Sequence, residues 1–362
     1  MSGTTVLIER KGIVFEDLAV IEGEYLRDIL QQPKALEDTL ASLGTSKPLL
    51  DVAARLNKGK FQRVVLTGMG SSFHALHPLN LELISHGFTA ITVETSELVH
   101  YKNRFFEPKT LIVAVSQSGQ SAEMVRLLQT NHKRCTVVAV TNTPGSPLAK
   151  HANAAVFTQA GNEFSVSCKT YVTALMALQW LGDVLCERDL RRTRQELKHA
   201  SPAAAAYLVD WKDYVRALAQ LLKNIRHLFL VGRGASLASA NTGALIVKES
   251  DQFHAEGMSS AAFRHGPLEM LGEEIFVLVF AGDARTRDLN ERLLRDIREQ
   301  GGRAEMVDAD AALPCFRIGE HGGSIRQILE ILPVNMITLA LAAMNGREPG
   351  RFELASKVTT IE

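Results

Sequence analysis

Cysteine, net charge and long apolar runs are all scarce in this sequence, and each scarcity excludes something. Four cysteines in 362 residues, Cys135, Cys168, Cys186 and Cys315, lie far apart. They have neither the density of a disulfide scaffold nor the spacing of a metal site. They fit a reducing compartment, so a cytoplasmic protein without a metal or other cofactor is expected. The 40 basic and 40 acidic residues cancel, leaving no overall field for nucleic acid or an anionic membrane, and any anion must be held locally. No basic recognition helix stands out. No stretch of ~18 apolar residues is evident. The N-terminus, with charges at Glu9, Arg10 and Lys11, lacks the basic-then-apolar order of a secretion signal. These absences predict a soluble protein whose ligand is a small molecule, with neither nucleic acid nor a membrane as partner.

What the chain does have is a central stretch at residues 111 to 123. The apolar run Leu111 to Val115 stops at Ser116, Gln117, Ser118 and Gly119, and a helical pattern begins at Ser121. That reads as a buried parallel strand feeding a helix. A loop at the carboxyl end of such a strand is where open α/β sheets bind ligands, and its amides and hydroxyls suit a phosphate. An ordinary N-cap with polar turn residues would look the same locally.

At roughly 150 residues per domain, the length suits two domains. Residues 1–44 read as a helical extension, because Leu26, Ile29, Leu30 and Leu40 are too few for a core. Residues 45–200 read as a doubly wound α/β domain, with a helix over 48–57 and strands at Arg63 to Leu66, Ala90 to Val93, Thr136 to Val140 and Ala154 to Phe157. Its first strand runs into Thr67-Gly68-Met69-Gly70-Ser71-Ser72, where glycine permits a tight turn and close approach of a ligand. A long helix over 171–187 follows, and the charged stretch Glu187 to Lys198 reads as the connection to a second domain over 201–350.

The second half repeats the first. Val64 to Ser71 has its counterpart in Phe229 to Ser236, with Gly68 matching Gly232. The same offset of 164 carries Leu111 to Val115 onto Ile275 to Val279. The equivalent of the serine cluster is then Phe280-Ala281-Gly282-Asp283, without its hydroxyls. The second repeat must contribute something else, and the candidates lie between Gly243 and Pro267. Lys248 and Glu249 fall near the end of an amphipathic helix, while His254, Glu256, Arg264 and His265 read as a glycine-punctuated loop. Glutamate and histidine suit proton transfer between adjacent sugar carbons; a solvated pair and loop-capping histidines would carry the same sequence.

Together the Gly-x-Gly-Ser-Ser turn, Ser116-Gln117-Ser118-Gly119, Lys248-Glu249, His254-Ala255-Glu256, His265-Gly266-Pro267 and the terminal Leu354 to Glu362 run resemble the sugar isomerase (SIS) family. The resemblance extends to the isomerase half of glucosamine-6-phosphate synthase and its deaminase and deglycase relatives, and covers the chain from Ile29 to the end. It implies two tandem doubly wound, flavodoxin-like parallel-sheet domains. It implies that Ser72, Ser116, Gln117, Ser118 and Ser121, with Ser71 beside them, hold a sugar phosphate, and that Val166 and Ser167 of the 161–168 segment line the sugar. It further implies that Glu249 shuttles a proton between C1 and C2, that His265 opens the ring across a dimer interface, and that Lys357, in a tail over 351–362, closes over the substrate. A homodimer with shared active sites is therefore expected.

The sequence also departs from that family. No glutaminase segment precedes the repeats, so glutamine is not expected as nitrogen source within this chain. Ile246 stands where relatives carry a lysine three residues before the glutamate, and Ala262 where they carry a glutamate three before the histidine. Each departure is expected to remove a charge from the site, which would weaken stabilisation of an enediolate. The resemblance thus leaves a phosphosugar isomerase, deaminating or deglycating, against a sugar-phosphate-binding regulator without chemistry. Glu249, His265 and Lys357 together favour the enzyme. A Rossmann dehydrogenase is disfavoured, since Gly68-Met69-Gly70 lacks a third glycine at the required spacing.

Overall fold

The structure, a computed structural model, describes residues 18–354 and 356–359. Residues 1–17 of the expected extension, and Ala355 and Thr360 to Glu362 of the expected tail, lie outside the described residues. After a 3-10 turn at Ala19–Ile21, the described residues form α1 (Glu24–Leu30), α2 (Gln32–Ser42) and α3 (Lys47–Asn57). The chain then alternates β1 (Arg63–Gly68), α4 (Gly70–Ser85), β2 (Ala90–Glu94), α5 (Thr95–His100), β3 (Thr110–Val115), α6 (Ala122–Asn131), β4 (Thr136–Thr141), α7 (Pro147–His151) and β5 (Ala154–Phe157). Four helices follow: α8 (Lys169–Leu185), α9 (Leu190–Leu197), α10 (Ala200–Leu208) and α11 (Trp211–Leu221). The alternation resumes with β6 (His227–Gly232), α12 (Leu237–Asp251), β7 (His254–Ser259), α13 (Ser260–Arg264), β8 (Ile275–Phe280), α14 (Arg287–Glu299), β9 (Arg303–Val307) and α15 (Gly323–Asn345).

The strands form two parallel sheets, in the orders β2-β1-β3-β4-β5 and β7-β6-β8-β9. The first is the flavodoxin-like order and the second repeats its first four positions. Alternation along each strand divides the apolar side chains between two layers. Val64, Leu66, Leu111 and Val113 of the first sheet, and Leu228, Leu230, Phe276 and Leu278 of the second, all enter one hydrophobic cluster. The outward faces have separate small clusters, around Val65, Ile112 and Leu127 in one case and Phe229, Val277 and Leu293 in the other. The shared cluster also takes in Tyr25, Ile29 and Leu36 of the N-terminal helices and most of α8 and α15.

Helices apolar on all sides belong in a core. Every residue of α8 except Gln179 is buried. In α15 the 21 residues Ile325–Asn345 are long and apolar enough to cross a membrane. This corrects the reading that no such stretch exists; 94% of the qualifying window is buried inside the protein, which makes it a core helix. The N-terminal helices are fastened to this core by a buried ion pair, Lys169 Nζ to Asp28 Oδ1 at 2.9 Å. Asp28 also accepts from the Phe164 N–H at 2.6 Å.

Two local readings are revised. His254 and Glu256 lie on edge strand β7, paired in parallel with β6, and the stretch from Glu187 to Lys198 is largely the helix α9. The repeat offset also changes within the sheet. Arg63 pairs with Thr110 but His227 with Ile275, so β3 maps onto β8 with an offset of 165. The counterpart of Ser116-Gln117-Ser118-Gly119 is therefore Ala281-Gly282-Asp283-Ala284, one residue later than a constant offset gives.

Candidate active site

The carboxyl ends of β1 and β3 open into a cleft of about 510 Å³, closed on one side by α12 and above by the C-terminal segment. Two glycines shape its floor. A Cβ on Gly68 would sit 3.0 Å from the backbone of Ser72 and Phe73, so only glycine lets α4 start this close to β1. Gly119 has φ +62°, and a Cβ there would lie 2.7 Å from Ser146 Cβ, so the turn after β3 requires glycine twice over.

Ser71, Ser72, Ser116, Gln117, Ser118, Ser121 and Ser167 all line this cleft, with Glu249 and Lys357. A smaller recess behind it shares Ser71, Ser72, Gln117 and Ser167 and is walled by Asn142, Thr158 and Tyr171. The serines are held, but not as helix caps. Ser116 Oγ accepts from the Gly119 N–H at 3.1 Å and Ser118 Oγ from the Gln120 N–H at 3.4 Å. The Gln117 carbonyl accepts from the Asn142 N–H and the Thr141 hydroxyl, both at 3.1 Å. Ser121 occupies the N-cap of α6 but makes no side-chain cap bond. Instead the Ala122 N–H donates to the Thr359 carbonyl of the C-terminal segment at 3.1 Å.

Glu249 reaches the cleft from the last turn of α12 and is half-buried, while Lys248 beside it is exposed. Burial pushes the Glu249 carboxyl up to about 7; Lys357 and Lys248 oppose that shift and Glu163 adds to it. A carboxyl poised there both accepts and donates protons near neutrality. Lys357 forms an ion pair with Glu163 and also donates to the Ser165 carbonyl.

Glu163 was missed in the sequence. Its side chain is wholly buried, accepts from the Cys168 and Thr170 N–H groups at 2.9 Å each, and takes the Thr170 hydroxyl at 2.6 Å. It thereby satisfies free donors at the start of α8 and fixes the 163–170 loop. An acid a few residues before a long apolar helix was the available signal. Arg351, Gln252 and Glu123 also line the cleft and were not anticipated.

Two expectations need correction. Val166 is fully buried in the shared core and does not line the cleft. Ile246 is likewise fully buried in that core, so the missing lysine is not a charge removed from the cleft wall of this chain. His265 and the neighbouring Ala262 are exposed and lie outside the cleft of their own chain, which is where a histidine expected to act across a dimer interface would lie. Among the described residues no group of acids, histidines or cysteines is arranged to hold a metal ion.

A flavodoxin-like sheet repeated twice, with a serine-lined cleft at the strand ends of the first copy, defines a tandem α/β protein. The SIS domain model matches residues 59–182 and 221–307, and the chain belongs to that family. It is 30% identical over 351 residues to glutamine–fructose-6-phosphate aminotransferase (isomerizing) of Pyrococcus horikoshii, a match covering 93% of this chain and 57% of that relative. The chain thus spans little more than half the length of the curated relative. Among solved structures it is similar to the C-terminal domain of glucosamine-fructose-6-phosphate aminotransferase from Francisella tularensis, with a TM-score of 0.80, 21% identity and coverage of 91% of this chain and 98% of that one. It is also similar to glucosamine-6-phosphate deaminase from Thermotoga maritima, with a TM-score of 0.76, 17% identity and coverage of 94% and 100%. Both likenesses concern the fold.

Proposed function

We propose that this protein is a phosphosugar isomerase, acting on an aldose–ketose or amino-sugar phosphate through an enediol or enaminol, with deamination or deglycation as the variant chemistry. The observation that carries this reading is a carboxyl poised near neutrality, Glu249, across the cleft from the serine loop. The serine loop and nearby amides hold the phosphate. Glu249 takes the proton from one carbon and returns it to its neighbour, and Lys357 lies over the sugar from the C-terminal segment. The names of the relatives support the same substrate class.

The test is proton NMR in heavy water with fructose-6-phosphate, glucose-6-phosphate and glucosamine-6-phosphate. Exchange at C1 or C2 is expected with the wild type, and a fall of about 10²–10⁴-fold in Glu249→Gln. Binding without exchange for every sugar would replace the enzyme by a sugar-phosphate-binding regulator.

His265 is exposed and outside the cleft of its own chain, which supports its being supplied to the substrate by a second copy. The reading therefore includes a homodimer with shared sites. Mixing inactive Glu249→Gln with inactive His265→Asn restores part of the activity if the sites are shared, because one mixed site then holds both native residues. No recovery on subunit exchange would remove His265 from the site.

A further inference from the structure

The second repeat has a cleft of its own, larger than the first. It measures about 1240 Å³ and opens at the carboxyl ends of β6 and β8, between Gly234 and Ala235 on one turn and Asp283 to Thr286 on the other, with the start of α15 beside them. The frame matches the first cleft. There the loops after β1 and β3 face α12 of the other repeat; here the loops after β6 and β8 face α4. Each facing helix presents one carboxyl with a raised pKa. Burial and the neighbouring Asp183 push the carboxyl of Glu82 on α4 up, against its ion pair with Arg188, as burial raises Glu249 of α12.

The deepest position is closed. Ser236, the counterpart of Ser72, donates to Glu330 Oε1 at 2.6 Å, and Ser239 donates to Oε2 at 2.7 Å. Glu330 is fully buried on α15, so an internal carboxylate occupies the hydroxyls that an anion would otherwise take. Further out, donors remain unspent. The Arg326 side chain is only 14% exposed, yet its Nη1 has no hydrogen bond and its carboxylate neighbour, Asp308, is 3.6 Å away. Asp308 is engaged more closely by Arg287, at 2.5 Å. The Thr286 hydroxyl on the same wall is also buried without a partner. Arg285 completes this side, paired at present with Asp283. A guanidinium and a hydroxyl with free donors, beside an exposed second guanidinium, match the several acceptor oxygens of a phosphate. The opposite wall, with Glu82, Asp183 and Arg188, offers acceptors and a donor for hydroxyl groups.

We propose that the cleft of the second repeat is a second small-molecule site, taking a hydroxylated phosphate monoester whose phosphate is held by Arg326, Thr286 and Arg285. The ligand class rests on the reading of the first cleft; the existence of the site does not.

Isothermal titration with fructose-6-phosphate, and separately with inorganic phosphate, tests it in the full chain. Two equivalents per chain are expected for the wild type. Ser116→Ala/Ser118→Ala retains one of them, and adding Arg326→Gln to that variant weakens the remaining event at least tenfold. Arg285→Glu, a change at a side chain 81% exposed, gives the same weakening without touching the core and serves if Arg326→Gln fails to fold. One equivalent per chain, lost in Ser116→Ala/Ser118→Ala and indifferent to Arg285→Glu, overturns the proposal. One equivalent that depends on Arg285 and ignores the serines would uphold the second site while removing the phosphate loop of the first.

Discussion

The turn after β3 and the turn after β8 leave equivalent strands of equivalent sheets, yet they are built for different tasks. In the first repeat Ser116, Ser118 and Gly119 make a tight hydroxyl-lined loop under an open cleft. In the second, Ala281-Gly282-Asp283-Ala284 stands in its place, and the serines of the neighbouring turn are committed to Glu330. The lesson is that strand geometry fixes where a ligand can sit, while a few side chains decide whether the position is left open or filled from within.

The largest effect is expected at Glu330. Burial raises its carboxyl to about 7 against an ordinary value of 4.5. A folded-state value raised above the unfolded one means that its contribution to stability is complete below about 4.5 and is lost as pH rises through about 7. That loss is on the order of 3 kcal/mol. Urea unfolding of Glu330→Gln is therefore expected to show a smaller fall in stability between pH 5 and 8.5 than the wild type. Equal falls would mean that the second repeat does not hold this carboxyl as described.

A glycine exchange comes next. Gly119→Ala places a Cβ against Ser146 at φ +62° and is expected to cost about 1–3 kcal/mol while weakening phosphosugar binding. The matching Ala284→Gly is expected to cost less than about 1 kcal/mol. Similar costs in a denaturation series would erase the distinction between the two turns. The smallest effect separates the paired serines. Ser236→Ala is expected to lower stability by about 1–2 kcal/mol through the loss of a donor to Glu330, leaving phosphosugar affinity at the first cleft intact. Ser72→Ala is expected to leave stability within about 0.5 kcal/mol and to raise the phosphosugar Kd several-fold.

Much of this frame was legible in the sequence because buried parallel strands are continuous apolar runs. Leu111 to Val115 and Ile275 to Val279 announce themselves, and the glycine turn after β1 carries its own signature. Strand β7 was not legible. Only Ala255 of His254–Ser259 is buried, and its Gly257 is there because a Cβ would meet the Ala240 carbonyl at 2.5 Å. A glycine demanded by helix packing looked like a loop glycine. The one-residue change in repeat offset was hidden for a related reason: apolar strands tolerate a shift of one without changing composition, and only hydrogen-bond register reveals it. Within the candidate site, the serines and Glu249 were visible as motifs. Glu163 was not, since its partners are backbone amides and a lysine 194 positions away.

The single hydrophobic cluster that takes in both sheets, α8, α15 and the N-terminal helices bears on ancestry and on engineering. A half-length ancestor with such an inner face would have needed another copy of itself to shield it. Carrying both repeats in one chain makes that pairing permanent, and lets the halves differ without separating. The same joint core makes the chain a poor candidate for dissection. A cut between α8 and α9 would leave two fragments with bare apolar faces, each dependent on the other for solubility.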